Sequence, residues 1–201
     1  MENGKMFQDE YYIIERENND NYPLFSWDES SGNFGLGKPV ESNTPIKLRL
    51  GEPISPNFEW VDYHKLPDPV LSQRVADVLA PMNIYGIQLV PAKVRNPKDP
   101  SDGPHEYWLM HVWNRIFCLD TEQSKIRTNR AGTRIFSIDK FVLSAKALEL
   151  IELPKRQVFE LAEKTSVLLV HQSIKDAIMS VNPRGVRFFP ANDWNSDSSF
   201  E

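Results

Sequence analysis

His105 and His111 lie six residues apart around a segment rich in aromatic and apolar residues, Glu106 to Trp113 (EYWLMHVW), so on an extended strand both imidazoles share one face. A metal centre built on them also needs a third ligand and closing geometry, which that spacing does not supply. Glu106 points to the opposite face if the strand starts there. His64 sits in a polar loop and His171 opens a helical segment, neither with a nucleophile beside it. Cys118 is the single cysteine and sits between apolar neighbours in Arg-Ile-Phe-Cys-Leu-Asp, which rules out an internal disulfide and reads as a buried, inert thiol. Gly32 to Lys38 (GNFGLGK) has the literal spacing of a phosphate-binding loop. Pro39, however, replaces the hydroxyl that would ligate Mg²⁺, and Ser-Asn-Thr-Pro follows in place of a helix N-terminus. Carboxylates are plentiful, yet none forms a local acid–base pair. The sequence therefore assigns no catalytic, cofactor-binding or metal-ligating residue. An enzyme whose residues assemble from separate segments, around His105, His111 and Asp120, remains the alternative.

Binding is the other chemistry these residues can do. Trp60, Trp108 and Trp113 lie in apolar strings and are expected in the core, whereas Trp27 and Trp194 stand among acids and asparagines in irregular segments. An aromatic held near charges on a loop is a candidate interface anchor. Trp27, Asp28, Glu29, Asp193, Trp194 and Asp197 are accordingly the expected partner-contact residues. Charge is unevenly spread: Met1 to Ser30 carries eight acids, including Glu2, Asp9, Glu10, Glu15, Glu17 and Asp20, against Lys5 and Arg16. Lys125 to Lys140 reverses the sign, with Lys125, Arg127, Arg130, Arg134 and Lys140 against Asp139. The acidic stretch is either a solvated face or a surface that attracts a basic partner.

The elements that must hold these residues include an internal match. A shift of 99 positions lays Ser72–Ala92 on His171–Ala191 without a gap, with six identities: Gln73/Gln172, Asp77/Asp176, Asn83/Asn182, Gly86/Gly185, Pro91/Pro190 and Ala92/Ala191. In both copies the apolar residues follow the one-face spacing of an amphipathic helix, and a Gly then leads into a short apolar run that ends at Pro. Either one helix-turn-strand unit is used twice, or similar packing needs produced similar strings. A shared core for the two units is expected. Tyr11 to Ile14, Ile46 to Leu50, Ile135 to Leu143 and Ser166 to Val170 read as further strands, and Ala145 to Ile151 as a short helix or a strand.

With 201 residues, 40% hydrophobic and 25% charged, the chain belongs to the ordinary globular class. No run approaches the roughly 18 apolar residues of a membrane span, and Met1 to Asp20 lacks a leader pattern, so a cytoplasmic protein is expected. A net charge of −5 argues against general nucleic-acid binding. Mixed strands and few long helices predict an α+β fold: a mixed-sheet core over residues 58–192, an irregular N-terminal lobe with short strands over 1–57, and a polar tail over 193–201.

Three segments together carry a family resemblance. They are Pro69 to Leu79 (PVLSQRVADVL) with Gly86 and Pro91; Tyr107, Leu109, Val112 and Leu119-Asp120 with Ser124; and Val167 to Ile178 leading to Gly185-Val186-Arg187-Phe188-Phe189-Pro190. This pattern resembles the immunity proteins of bacterial polymorphic toxin systems, in the family numbered eleven of that series, over roughly Phe58 to Pro190. The resemblance implies a protein that binds the C-terminal domain of a cognate toxin, with no catalytic residues to carry over. Ser72 and Arg74 match polar positions of the pattern and read as a helix cap and a structural surface contact. A nuclease is the expected toxin class, because an acidic inhibitor is drawn to a basic enzyme of nucleic acids. An adaptor of a secretion apparatus is a further alternative.

Overall fold

The computed structural model describes residues 7–42 and 44–200, so Glu2 and Lys5 of the acidic stretch and Glu201 of the tail lie outside the described residues. In chain order come β1 (Tyr11–Arg16), β2 (Phe25–Trp27), β3 (Ile46–Leu50), β4 (Tyr63–His64), β5 (Val70–Leu71) and helix α1 (Gln73–Leu79). Then follow β6 (Ile87–Arg95), β7 (His105–Val112), β8 (Arg115–Ile116), β9 (Lys125–Thr128), β10 (Ile135–Lys140) and α2 (Ala145–Glu149). The chain closes with β11 (Val158–Leu161), β12 (Leu168–His171), α3 (Gln172–Met179) and β13 (Val186–Pro190). These build a six-stranded sheet ordered β2-β3-β6-β7-β5-β4, a five-stranded sheet ordered β13-β1-β12-β11-β8, and the β9–β10 hairpin. Both larger sheets are mixed, with parallel pairing of β3 with β6 and of β8 with β11. The fold is α+β, as the sequence predicts.

The internal match is a structural one. Ser72 and His171 occupy the same place before their helices, and Gln73 and Gln172 each donate to the aspartate four residues on, Asp77 and Asp176. Asn83 and Asn182 both close the helical segment in the left-handed region, at φ 49° and 46°. Gly86 and Gly185 share φ 86°, and a Cβ would collide with the Asn114 side chain in the first copy and with Val61 and the Tyr63 carbonyl in the second.

The likeness extends to the sheets. The order β6-β7-β5-β4 in one sheet is repeated by β13-β1-β12-β11 in the other. Leu109 faces Val70 while Val112 faces Ile87; correspondingly, Ile13 faces Leu169 and Arg16 faces Val186. Strand β1 therefore stands in the second unit where β7 stands in the first. Residues 7–57 are thus not set apart as a lobe: β1 is an inner strand of one sheet, and β2 and β3 extend the other. The reason is the unit's need for a fourth strand, which the first copy takes from the residue run after β6 and the second takes from the beginning of the chain.

The units pack helix to helix. Val75 and Leu79 of α1 join Ile174 and Ile178 of α3, together with Leu71, Met110, Ile14 and Val170, in one buried cluster between the sheets. Each helix is short, so its stability comes from this apolar face rather than from propensity. Arg74 ties the pair together: it donates to the Val181 carbonyl, just beyond α3, and lies 3.6 Å from Asp62. Ser72 takes the cap position, but its hydroxyl donates to Asp62 (2.7 Å) instead of capping the helix.

The outer face of each sheet has its own cover. Phe25, Leu48, Leu50, Val90, Tyr107 and Leu109 form a second cluster, against which Trp27, Phe34, Val40, Phe58 and Trp60 pack. Tyr11, Ile13, Phe159 and Leu169 form a third, covered by Phe141, Leu143, Leu148 and Trp194. The segment 145–151 is helical at its start as α2, with Ser144 accepting from the Ala147 amide as a true cap.

Candidate partner-binding surfaces

The six expected contact residues fall on two separate parts of the molecule. Trp27, at the end of β2, is half-buried and packs on Phe34 with ring centroids 5.3 Å apart. Asp28 follows it and accepts from Nε and one Nη of Arg95, with Arg49 at 3.9 Å. The Arg95 guanidinium keeps its carboxyl below the ordinary aspartate range. Glu29 is exposed, and one of its oxygens accepts from the Lys47 amide (2.8 Å). Beside this trio a groove of about 340 Å³ runs between β3, β6 and the 96–104 loop, lined in part by Lys47, Lys93, Arg95 and Asp102.

Asp193 and Asp197 are exposed beyond β13, on the other sheet. Trp194 between them is not at the surface. Only 3% of it is exposed, its ring meets Phe141 edge-on at 5.8 Å, and its indole N–H donates to Glu15 (3.3 Å). The polar tail folds back because the Asp193 and Trp194 amides both donate to the Pro190 carbonyl and the Ser196 amide donates to Ile138. Trp194 therefore leaves the contact set and joins the core. Among the described residues the two groups share no hydrogen bond, ion pair or cleft.

The acids of the first thirty residues are largely occupied within the molecule. Glu10 lies 3.8 Å from His171, Glu15 is fully buried against Lys65 and Trp194, and Glu17 accepts from the Gly185 amide (3.3 Å). Lys65 and Arg95 neutralise Glu15 and Asp28, so this stretch presents less free negative charge than its composition predicts. Pairing partners distant in sequence could not be read from charge runs.

The residues that tempt a catalytic reading have structural partners. His105 and His111 do share a face of β7, the one covered by the 25–60 segment. His105 pairs with Asp102 (2.7 Å) and lies on Trp60, while His111 donates from Nε2 to the Lys38 carbonyl (2.9 Å) and meets Phe34. Asp120 instead caps the turn before β9 by accepting from Glu122 and Gln123. It shares no contact or cleft with either histidine among the described residues. His64 is buried against Phe25 at 3.8 Å and bonded at Nδ1 to the Pro23 carbonyl, and burial lowers its pKa to about 4, so it is neutral at pH 7. Burial pushes the Cys118 thiol well up, away from the reactive thiolate. Gly32–Lys38 forms a strap with one short turn of 3₁₀ helix, Phe34–Leu36, whose Phe34 seals the core edge.

One pair of acids went unnoticed in the sequence. Asp68, between β4 and β5, lies in a cleft of about 130 Å³ with Glu160 of β11. Burial, then the Glu160 charge, raises Asp68 to about 6. Glu160 is itself raised by burial, against the pull of Arg115. These residues are far apart in sequence, so no local spacing could have disclosed them.

The folded chain is thus a pair of matched α+β units whose most reactive-looking side chains are bound into structural contacts, leaving its covers and edges as the surfaces available to a partner. Residues 7–193 match the model of the Immunity protein family (Imm11), and the chain belongs to this family. The match begins well before Phe58, so β1, β2 and β3 are part of the family domain, which corrects the narrower span of the resemblance. No curated protein matches the sequence.

Proposed function

We propose that this immunity protein is a stoichiometric inhibitor, acting in the cytoplasm of the producing bacterium, which docks on the C-terminal domain of a cognate toxin and closes its active site or substrate path. The observation that carries this reading is the family match over 7–193. The structural engagement of His64, His105, His111 and Cys118 supports occupancy over turnover. An interface of about 1,600 Å² is enough for such inhibition, with affinity set by a few anchors.

The target is a nuclease in this reading. A chain of net charge −5 is attracted to a basic enzyme of nucleic acids. Glu29, Asp193 and Asp197 are the exposed acids of the contact set, with half-buried Trp27 and Asp28 standing behind Glu29. The test is survival of bacteria expressing the toxin domain encoded beside this chain, with and without it, paired with purification of the complex. Rescue with a 1:1 complex supports inhibition by binding; rescue without a complex points to an enzyme that reverses the damage. Loss of nucleic-acid cleavage by the purified toxin domain checks the target class, and a toxin with no such activity removes it.

A further inference from the structure

A cluster of exposed cations sits on the β9–β10 hairpin. Lys125 and Lys140 face each other across the two strands, and Asp139 is shared between Arg127 (3.2 Å) and Lys125 (3.9 Å). Arg130, Arg134 and Lys140 are exposed and make no ion pair among the described residues. Asp139 offsets the like charges of Lys125 and Lys140 across the strands, while Arg130 and Arg134 at the tip are left for an external anion. The tip is nevertheless ordered: the Asn129 side chain accepts from the Thr133 (2.8 Å) and Arg134 (3.1 Å) amides.

Behind the hairpin lies a cleft of about 200 Å³ between β10 and the C-terminal turn, lined in part by Phe136, Lys164, Val167, Trp194 and Phe200. Phe136 is 57% exposed with Arg134 against its ring, and Phe200 is 78% exposed. Lys164 donates to the Phe136 carbonyl (3.1 Å). Its ammonium is held below the ordinary lysine range by burial and by the positive fields of Arg134 and Lys65. Two exposed aromatic rings beside a cluster of cations make a surface suited to a segment that carries both carboxylates and an apolar side chain. The remaining surface, in a chain of net charge −5, is unfavourable to a long phosphate backbone.

We propose that the β9–β10 hairpin and the cleft behind it are a docking surface for an acidic segment of the toxin domain, with Phe136 as its apolar anchor. The proposal rests on the toxin-binding reading and adds the surface and the chemistry of the segment it receives. Carboxylates of that segment meet Arg130, Arg134 and Lys164, and its apolar side chain enters between Phe136 and Phe200.

The experiment measures binding of the toxin domain encoded beside this chain to wild type, to Arg130→Glu/Arg134→Glu and to Phe136→Ala, at two salt concentrations. All three substituted positions are exposed, and a thermal melt of each variant is run to check that it keeps the fold. The expected result is a Kd raised at least about 100-fold by the charge reversal and about 10-fold by Phe136→Ala, with a weaker salt dependence for the reversal. Lys38→Glu/Lys98→Glu, an equal charge reversal at exposed positions outside the hairpin and its cleft, is expected to alter Kd by less than about 3-fold. Tight binding by wild type with unchanged Kd in the hairpin variants overturns this proposal and leaves inhibition by binding intact. Failure of wild type to bind overturns both. Tight hairpin-dependent binding of a single-stranded oligonucleotide, without hairpin-dependent toxin binding, makes the surface a nucleic-acid site and likewise overturns it.

Discussion

The two matched units share a sheet order, a helix, a left-handed asparagine and a glycine at the same φ, yet they are completed and covered differently. The first takes its inner strand, β7, directly after β6; the second takes β1 from residues 11–16. On the outside, the first is covered by Phe34 and Val40 of the strap and by Phe58 and Trp60, beside the ion-paired Asp28 and Glu59. The second is covered by residues 117–151 and the C-terminal turn, which carry the cationic hairpin. A duplicated scaffold with unlike covers places stability in the shared part and, in the proposal above, recognition in what was added to it.

The strongest way to break the comparison is at its common centre. Ile13 and Leu109 hold corresponding places on β1 and β7, and both are fully buried. Ile13→Asp and Leu109→Asp each bury an unpaired carboxylate, a cost of several kcal/mol, against a total stability of about 5–15 kcal/mol. Both variants are expected to lose cooperative unfolding in circular dichroism melts. A fully folded Ile13→Asp protein would mean that β1 is an accessory to its sheet and not a counterpart of β7.

The tryptophans separate scaffold from cover. Trp194→Ala removes a side chain 97% enclosed by the core and should cost about 3–5 kcal/mol in denaturant unfolding. Trp27→Ala, at a half-buried cover position, should cost about 1–2 kcal/mol. Equal losses would make Trp27 as much a core residue as Trp194. Between these effects lie the glycines: Gly86→Ala and Gly185→Ala each force a Cβ into a contact closer than 3.0 Å at φ 86° and should cost about 2–3 kcal/mol. Similar losses at the two sites would sharpen the correspondence between the units.

What the sequence disclosed was local. Helix periodicity, the Asn and Gly that end each helix, and the alternation of Ile46–Leu50 depend on neighbours a few residues away, and these the chain displays directly. The place of β1 depends on pairing with residues 169–190, and Trp194 is buried through a turn that returns to Pro190 and Ile138. Its polar neighbours, Asn192, Asp193 and Asn195, gave the opposite signal. Charge composition misled for the same reason: Glu15 meets Lys65 and Asp28 meets Arg95, partners that no charge run reveals.

The seam between the units gives a pH test. Asp68 of the first unit is raised to about 6 by burial and by Glu160 of the second, against about 3.9 in an unfolded chain. The folded state therefore binds this proton more tightly than the unfolded state does. Its stabilising contribution is complete below pH about 3.9 and is lost as pH rises through about 6. Asp68→Asn should raise stability at pH 7.5 by about 2 kcal/mol and have a much smaller effect at pH 4, measured by urea unfolding at each pH. A gain independent of pH would remove Asp68 titration as the cause.

The smallest expected effect tests how the second unit was assembled. Tyr12 pairs with Pro190, and the Ala191 amide donates to Tyr11, so the start of β1 lies beside the end of β13. Joining the two chain ends through a flexible Gly/Ser linker and opening the chain in the exposed turn near Ser101 makes β1 follow β13 just as β7 follows β6. Such a permuted chain keeps every strand pair of both sheets and gives up only the connection between β6 and β7. Its melting temperature should fall by less than about 4 °C, the scale of roughly 1 kcal/mol for a domain of this size. A much larger fall would show that the β6–β7 connection stabilises the first unit in a way the second does without, so that the likeness of the units stops at their strand pairing.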